Sequence, residues 1–166
     1  MQLFVDTANL DEIREAAQMG VVSGVTTNPT LLAKNGAGDV ESVIKDICTL
    51  IPGSVSMEVV SDDAPGMIDE GKRFSQWGEN VYVKVPFTVE GVKAVKAFSD
   101  LGIRTNVTLV FSANQALLAA SAGATYISSF VGRVDDIGYD GISVIEEICE
   151  LRDIHGFDSQ VLSASI

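Results

Sequence analysis

One histidine and two cysteines are all that 166 residues offer toward transition-metal or thiol chemistry. Cys48 and Cys149 lie far apart and match no metal-ligand spacing. Each falls on an apolar helical stripe (Ile44, Ile47, Cys48, Ile51; Val144, Ile145, Ile148, Cys149), which reads as a small buried hydrophobe in a reducing compartment. His155 precedes Gly156 at a helix end and reads as a helix-end charge or a solvated residue, not a ligand. No glycine-rich fingerprint follows the first strand, where Asp6-Thr7-Ala8-Asn9 occupies the turn, so nicotinamide and flavin chemistry is disfavoured. Neither a metal nor an organic cofactor is expected.

Positive charge is scarce as well. Eleven Lys and Arg against 23 Asp and Glu give a formal net charge of −12. That excludes the basic face of a general nucleic-acid binder and a basic patch for an anionic membrane. It says little about a small substrate, because one arginine can hold a phosphate locally. No apolar run approaches a membrane span. Met1–Asp6 has neither a basic n-region nor a long apolar stretch, so no signal peptide is read and a cytoplasmic location is expected. Linkers, charge blocks and low-complexity segments are missing too, which predicts one domain over residues 1–166.

What is present is a regular alternation of strand and helix. Strands are predicted at Leu3–Asp6, Gly24–Thr27, Val55–Val60, Val81–Val85, Arg104–Val110, Thr125–Phe130 and Gln160–Ala164. Helices are predicted at Asp11–Met19, from Asn28-Pro29 to Leu50 with an interruption at Asn35-Gly36-Ala37-Gly38, and at Ala64–Trp77, Glu90–Leu101, Ser112–Ala122 and Gly141–Asp153. Alternation at this spacing, without hairpin turns, implies parallel strands joined by right-handed crossovers. The candidates are a doubly wound open sheet and a (β/α)8 TIM barrel. A barrel takes about 250 residues, with a lower limit near 200. About six βα units and a seventh strand fit here, so a barrel would be incomplete.

Side-chain alternation separates the two architectures. One face of the strands carries Phe4, Asp6, Gly24, Thr26, Asn28, Ser56, Glu58, Tyr82, Lys84, Asn106, Thr108, Tyr126, Ser128, Ser163 and Ser165. The other carries Leu3, Val5, Val25, Val55, Met57, Val59, Val83, Val85, Val107, Leu109, Ile127, Leu162 and Ala164. A doubly wound sheet would show apolar residues on both faces. A polar face repeated over seven strands fits a barrel interior, where groups from several strands converge at the C-terminal end.

That interior holds one cation, Lys84, the carboxylates Asp6 and Glu58, the amides Asn28 and Asn106, and the hydroxyls of Thr26, Thr108, Ser128 and Ser165. Desolvation favours the neutral form of a lysine. A neutral amine in a sheltered pocket suits imine formation with a carbonyl, and carboxylates suit the accompanying proton transfers. Each carboxylate also has a plainer reading. Asp6 could cap the following helix, and Glu58 could serve only as an ion-pair partner of Lys84.

Several segments are more specific. Phe4-Val5-Asp6-Thr7-Ala8-Asn9, Gly24-Val25-Thr26-Thr27-Asn28-Pro29-Thr30, Val83-Lys84-Val85-Pro86, Thr105-Asn106-Val107-Thr108-Leu109-Val110-Phe111 and Ser129-Phe130-Val131-Gly132-Arg133 resemble the signature blocks of transaldolases, in family order. The resemblance is to the short, single-barrel microbial branch that also contains fructose-6-phosphate aldolases. It implies a metal-free class I mechanism in which Lys84 forms a Schiff base with a ketose phosphate. Glu58 would act as general acid/base through a water held by Thr108, and Asp6 would take the C4 hydroxyl proton. Asn28 and Asn106 would orient the dihydroxyacetone part with Thr26, Ser128 and Phe130 nearby. Arg133 and Ser165 would hold the phosphate.

The implied reaction moves a dihydroxyacetone unit between sugar phosphates in the pentose phosphate pathway: sedoheptulose 7-phosphate and glyceraldehyde 3-phosphate against erythrose 4-phosphate and fructose 6-phosphate. Aldolases of the family typically have glutamine and tyrosine where this chain has Glu58 and Phe130, which favours the transferase over release of free dihydroxyacetone. Family members continue past Ala-Ser-Ile with an arginine, a helix and an eighth strand. Ala164-Ser165-Ile166 ends this chain, so a C-terminal truncation is expected, with self-association of an inactive incomplete barrel as a further alternative. The resemblance also implies a homo-oligomer, pentamer or decamer, for the full-length protein.

Overall fold

Hydrophobic alternation and helix caps set the element boundaries in this computed structural model, which describes residues 1–36 and 38–166. The strands among the described residues are β1 Leu3–Asp6, β2 Val22–Thr26, β3 Ser54–Glu58, β4 Val81–Pro86, β5 Thr105–Val110, β6 Tyr126–Phe130 and β7 Gln160–Ala164. The helices are α1 Leu10–Gln18, α2 Pro29–Lys34, α3 Val40–Leu50, α4 Ala64–Phe74, α5 Val89–Asp100, α6 Ala113–Ser121, α7 Val131–Asp136 and α8 Gly141–His155. The strands form one sheet in sequence order, β1 to β7. This alternation is an incomplete (β/α)8 barrel, as the sequence pattern predicts. The break between α2 and α3 also falls where predicted, although Ala37 within it lies outside the described residues.

Helix starts follow side-chain capping. Asn9, Asn28, Asp39, Thr88, Ser112 and Asp140 accept backbone N–H bonds at the starts of α1, α2, α3, α5, α6 and α8. Each such cap is worth about 1 kcal/mol. Helix α8 ends at His155, and Gly156 follows in the left-handed region (φ 66°), as the His-Gly pair suggests. The helix over Val131–Asp136 was not predicted: six residues with a glycine second carry no readable period.

The described residues cluster into two compact units. The first comprises Met1–Val60 and Asp69–Val83, the second Ser61–Ile68 and Lys84–Ile166. In the first, β1 runs parallel to β2 with Val5 opposite Val25 and Asp6 opposite Thr26, and β2 runs parallel to β3 with Val25 opposite Val55. Val25 and Val55 are fully buried, each worth roughly 1.5–3 kcal/mol of burial. Gly24 is required by close approach: a Cβ there would sit 2.4 Å from the Phe4 ring and 2.7 Å from the Ser54 carbonyl oxygen. Asn80 ties the lower end of this unit together. Its Nδ2 donates to the carbonyls of Ile51 (2.7 Å), Gly53 (2.9 Å) and Cys48 (3.3 Å).

In the second unit β5, β6 and β7 are parallel neighbours, with Val107 opposite Ile127 and Ile127 opposite Val161. The register slips between Val107 and Val110, because Val110 pairs with Ser129. Three residues of β5 are thus spanned by two of β6, a β-bulge. Leu109 is the extra residue. Its φ of 60° lies in the left-handed region, which costs a leucine about 1–2 kcal/mol. This corrects the simple alternation. Val110, not Leu109, follows Val107 on the apolar face and is fully buried, while Leu109 is 39% exposed.

Candidate active site

The first unit carries Asp6, Thr26, Asn28 and Glu58. Register sets Asp6 and Thr26 side by side, and the Thr26 hydroxyl donates to Asp6 Oδ1 at 2.7 Å. Asp6 does not cap α1, as its position allowed; Asn9 does, accepting from Asp11 and Glu12. Asp6 is therefore held by β2 and exposed. Asn28 accepts from Leu31 N at 2.9 Å, with Pro29 at the first helical position. The cap uses one acceptor site of its carbonyl oxygen and fixes the amide's orientation, which leaves its N–H pair to offer a ligand. Thr27 has a structural task in the same motif. Its hydroxyl and its backbone N–H both donate to the Ser56 carbonyl, at 2.7 and 3.1 Å, and it is completely buried. Glu58 closes β3 half-buried.

The second unit carries Lys84, 7% exposed on β4. Beyond it, Phe87 N donates to the Thr108 carbonyl at 2.8 Å and joins the end of β4 to β5. On β5 and β6 the predicted binding groups meet. The Ser128 hydroxyl donates to Asn106 Oδ1 at 2.7 Å, both residues buried. That bond fixes the orientation of the Asn106 amide. Thr108 is 1% exposed, and its Oγ1 has no hydrogen-bond partner among the described residues. A buried hydroxyl left so costs about 1–3 kcal/mol, the kind of debt that a water or ligand settles.

Phe130, half-buried at the end of β6, stacks edge-on against Phe111 with ring centroids 5.8 Å apart. Sequence reasoning did not single out Phe111; nothing in its spacing marks it. Arg133 lies on α7, exposed, with an ion pair to Asp136 at 3.3 Å. Ser165 adopts φ 56°, and its carbonyl accepts from Gly132 N at 2.6 Å. A Cβ on Gly132 would meet that carbonyl at 2.3 Å, which explains the glycine before Arg133.

Chemically the set contains one buried amine, carboxylates, amides and hydroxyls. Among the described residues no group of three His, Cys, Asp or Glu side chains could hold a metal ion. No helix among them is long and apolar enough to cross a membrane. Both cysteines are half-buried instead of fully buried, and burial pushes the Cys48 thiol up to about 11, so it is protonated near neutrality.

The profile of one family, described as Transaldolase/Fructose-6-phosphate aldolase, matches residues 3–166. The chain belongs to that family. Its curated relatives include a "Probable transaldolase" of Shouchella clausii, 57% identical over the whole of this chain and 76% of its own length. A "Probable transaldolase 1" of Bacillus cereus is 58% identical over the whole chain and 77% of its own length. One from Leptospira biflexa, also called a "Probable transaldolase", is 57% identical, again over the whole of this chain and 77% of its length. Among solved structures, a "putative fructose-1,6-biphosphate aldolase" from Coccidioides immitis superposes with a TM-score of 0.63, covering 97% of this chain and 63% of its own. At 12% identity that likeness speaks for the fold alone.

Proposed function

We propose that the chain carries the catalytic residues of a transaldolase acting through a Schiff base on Lys84. The observation that carries this reading is the lysine itself, 7% exposed on β4 in a chain whose relatives are called probable transaldolases. Uncatalysed cleavage of a ketose between C3 and C4 would put the electrons onto an enolate of the C2 carbonyl, a weak electron sink at neutral pH. Addition of the Lys84 amine to the C2 carbonyl, with loss of water, makes an imine that accepts those electrons as an enamine. The donor is a ketose phosphate such as fructose 6-phosphate or sedoheptulose 7-phosphate.

Asp6, fixed by Thr26, takes the proton of the C4 hydroxyl as the C3–C4 bond breaks. Glu58 exchanges the protons of imine formation through a water held by Thr108, whose hydroxyl has no hydrogen-bond partner among the described residues. Asn106, oriented by Ser128, and Asn28, oriented by its helix cap, bind the dihydroxyacetone hydroxyls. Phe130 walls the site. Arg133 exchanges an exposed ion pair, worth little, for the substrate phosphate, with Ser165 beside it. The enamine is then captured by a second aldose phosphate, erythrose 4-phosphate or glyceraldehyde 3-phosphate.

The test is borohydride reduction in the presence of fructose 6-phosphate, followed by peptide mass mapping. A stable adduct on Lys84 is expected, and its loss in Lys84→Met. An unmodified Lys84 would contradict the mechanism. The family also includes fructose-6-phosphate aldolases. Running the same reaction with and without erythrose 4-phosphate separates the two: transfer needs the acceptor, whereas simple cleavage proceeds without it.

A further inference from the structure

The bulge at Leu109 is expensive in two ways. A leucine is held in a backbone region that glycine or asparagine would occupy with less strain (φ 60°), and its side chain is exposed on a strand whose other residues are buried. The core does not need it. Without the extra residue, Val110 would follow Thr108 directly and regular alternation would still place it on the face of Val107. Strain and exposure together therefore point to a task for this side chain outside the core.

Its position narrows the task. Asn106 and Ser128 share one face of β5 and β6 through their hydrogen bond, and alternation puts Thr108 on that face after Asn106. In the bulge Thr108 and Leu109 together stand in the place of one residue. Leu109 thus directly follows Thr108, whose buried hydroxyl has no hydrogen-bond partner among the described residues, and is itself exposed. On the same stretch of chain Phe111 packs edge-on against Phe130.

We propose that Leu109 is a specificity-determining wall at the mouth of the site, which shields the enamine on Lys84 from water and leaves it to the aldehyde acceptor. This inference rests on the Schiff-base reading above. The enamine has two fates. Its C3 carbon can attack an aldehyde, and the new ketose leaves as water hydrolyses the imine. Alternatively C3 takes a proton, water hydrolyses the imine, and dihydroxyacetone leaves with the Lys84 amine restored. An apolar rim residue beside the water-holding threonine disfavours the second fate.

Leu109→Gly removes the side chain and keeps the left-handed backbone, and Leu109→Asn also tolerates that backbone should the first variant fold poorly. The readout is the ratio of free dihydroxyacetone to transferred product at fixed fructose 6-phosphate and erythrose 4-phosphate. It is expected to rise about tenfold in both variants, the scale of one lost apolar contact in a specificity pocket. Leu109→Met, which keeps an apolar wall, should fall between them and the parent chain. An unchanged ratio in a folded Leu109→Gly or Leu109→Asn chain, with transfer intact in the parent, overturns the inference alone. A parent chain that forms no reducible adduct on Lys84 overturns the functional reading, and the inference with it.

Discussion

Single side chains do much of the joining between successive elements. Asn80, just before β4, is the clearest case, with one amide group serving three carbonyls at the end of α3 and in the turn before β3. Replacing it with alanine leaves those carbonyls short of a donor. A loss of about 2–3 kcal/mol is expected from Asn80→Ala, read as a lower urea midpoint. Asn80→Asp should be at least as damaging, because a carboxylate offers acceptors to acceptors. A midpoint unchanged in Asn80→Ala would mean that water replaces the amide without loss. Nothing in the local sequence announced this role, since its partners lie 27 to 32 residues away. The Thr-Thr-Asn-Pro motif was different. Its cap and its proline are local devices, so Asn28 and Pro29 were readable as a strand-to-helix junction before any coordinates.

Helix α4 shows the same long reach between elements. Its first residue, Ala64, donates its N–H to Glu90 of α5 at 3.1 Å, so one helix is capped by the next. The hydrogen bond from Lys93 and then that from Ala64 hold the Glu90 carboxyl below the ordinary glutamate range. A carboxylate with a lowered folded pKa stabilises the fold above its unfolded pKa, and that contribution disappears as pH falls through the folded value. Glu90→Gln keeps an acceptor but no charge. The parent should exceed Glu90→Gln in urea midpoint at pH 7, and the gap should narrow as pH falls below the ordinary glutamate range and close once pH passes the lowered folded value. A gap that persists in acid would argue against the charge. Most elements were legible because alternation and caps are local signals. The bulge at Leu109 was not, because Thr108-Leu109-Val110 reads equally well as continuous strand; only the pairing with β6 shows the extra residue. The helix at Val131–Asp136 was hidden by its brevity.

For the whole chain, the sheet order leaves β1 and β7 as its outer strands among the described residues. β7 and the residues after it, Gln160 to Ile166, carry neither a charge nor a proline, the usual guards of a strand edge. The net charge of −12 opposes association at long range. For residues 1–166 taken alone, self-association should therefore grow with salt as that repulsion is screened, and Ser163→Lys on β7 should weaken it. Sedimentation velocity over a range of protein and salt concentrations checks both. A salt-independent monomer would show that β7 recruits no partner. The strand–helix alternation was legible because it repeats over seven strands, whereas the pairings within each unit, Asp6 with Thr26 and Asn106 with Ser128, needed the register to become visible.

The sequence-ordered sheet has a consequence for how the molecule is made. Within this sheet each strand after β1 pairs with the one synthesised just before it. At about 5–20 residues per second, a ribosome releases each new strand–helix unit within seconds of the last. The sheet can grow from one edge as the chain lengthens, with the most recent strand as the template for the next. Nascent chains of increasing length should gain protease resistance in steps, one strand–helix unit at a time.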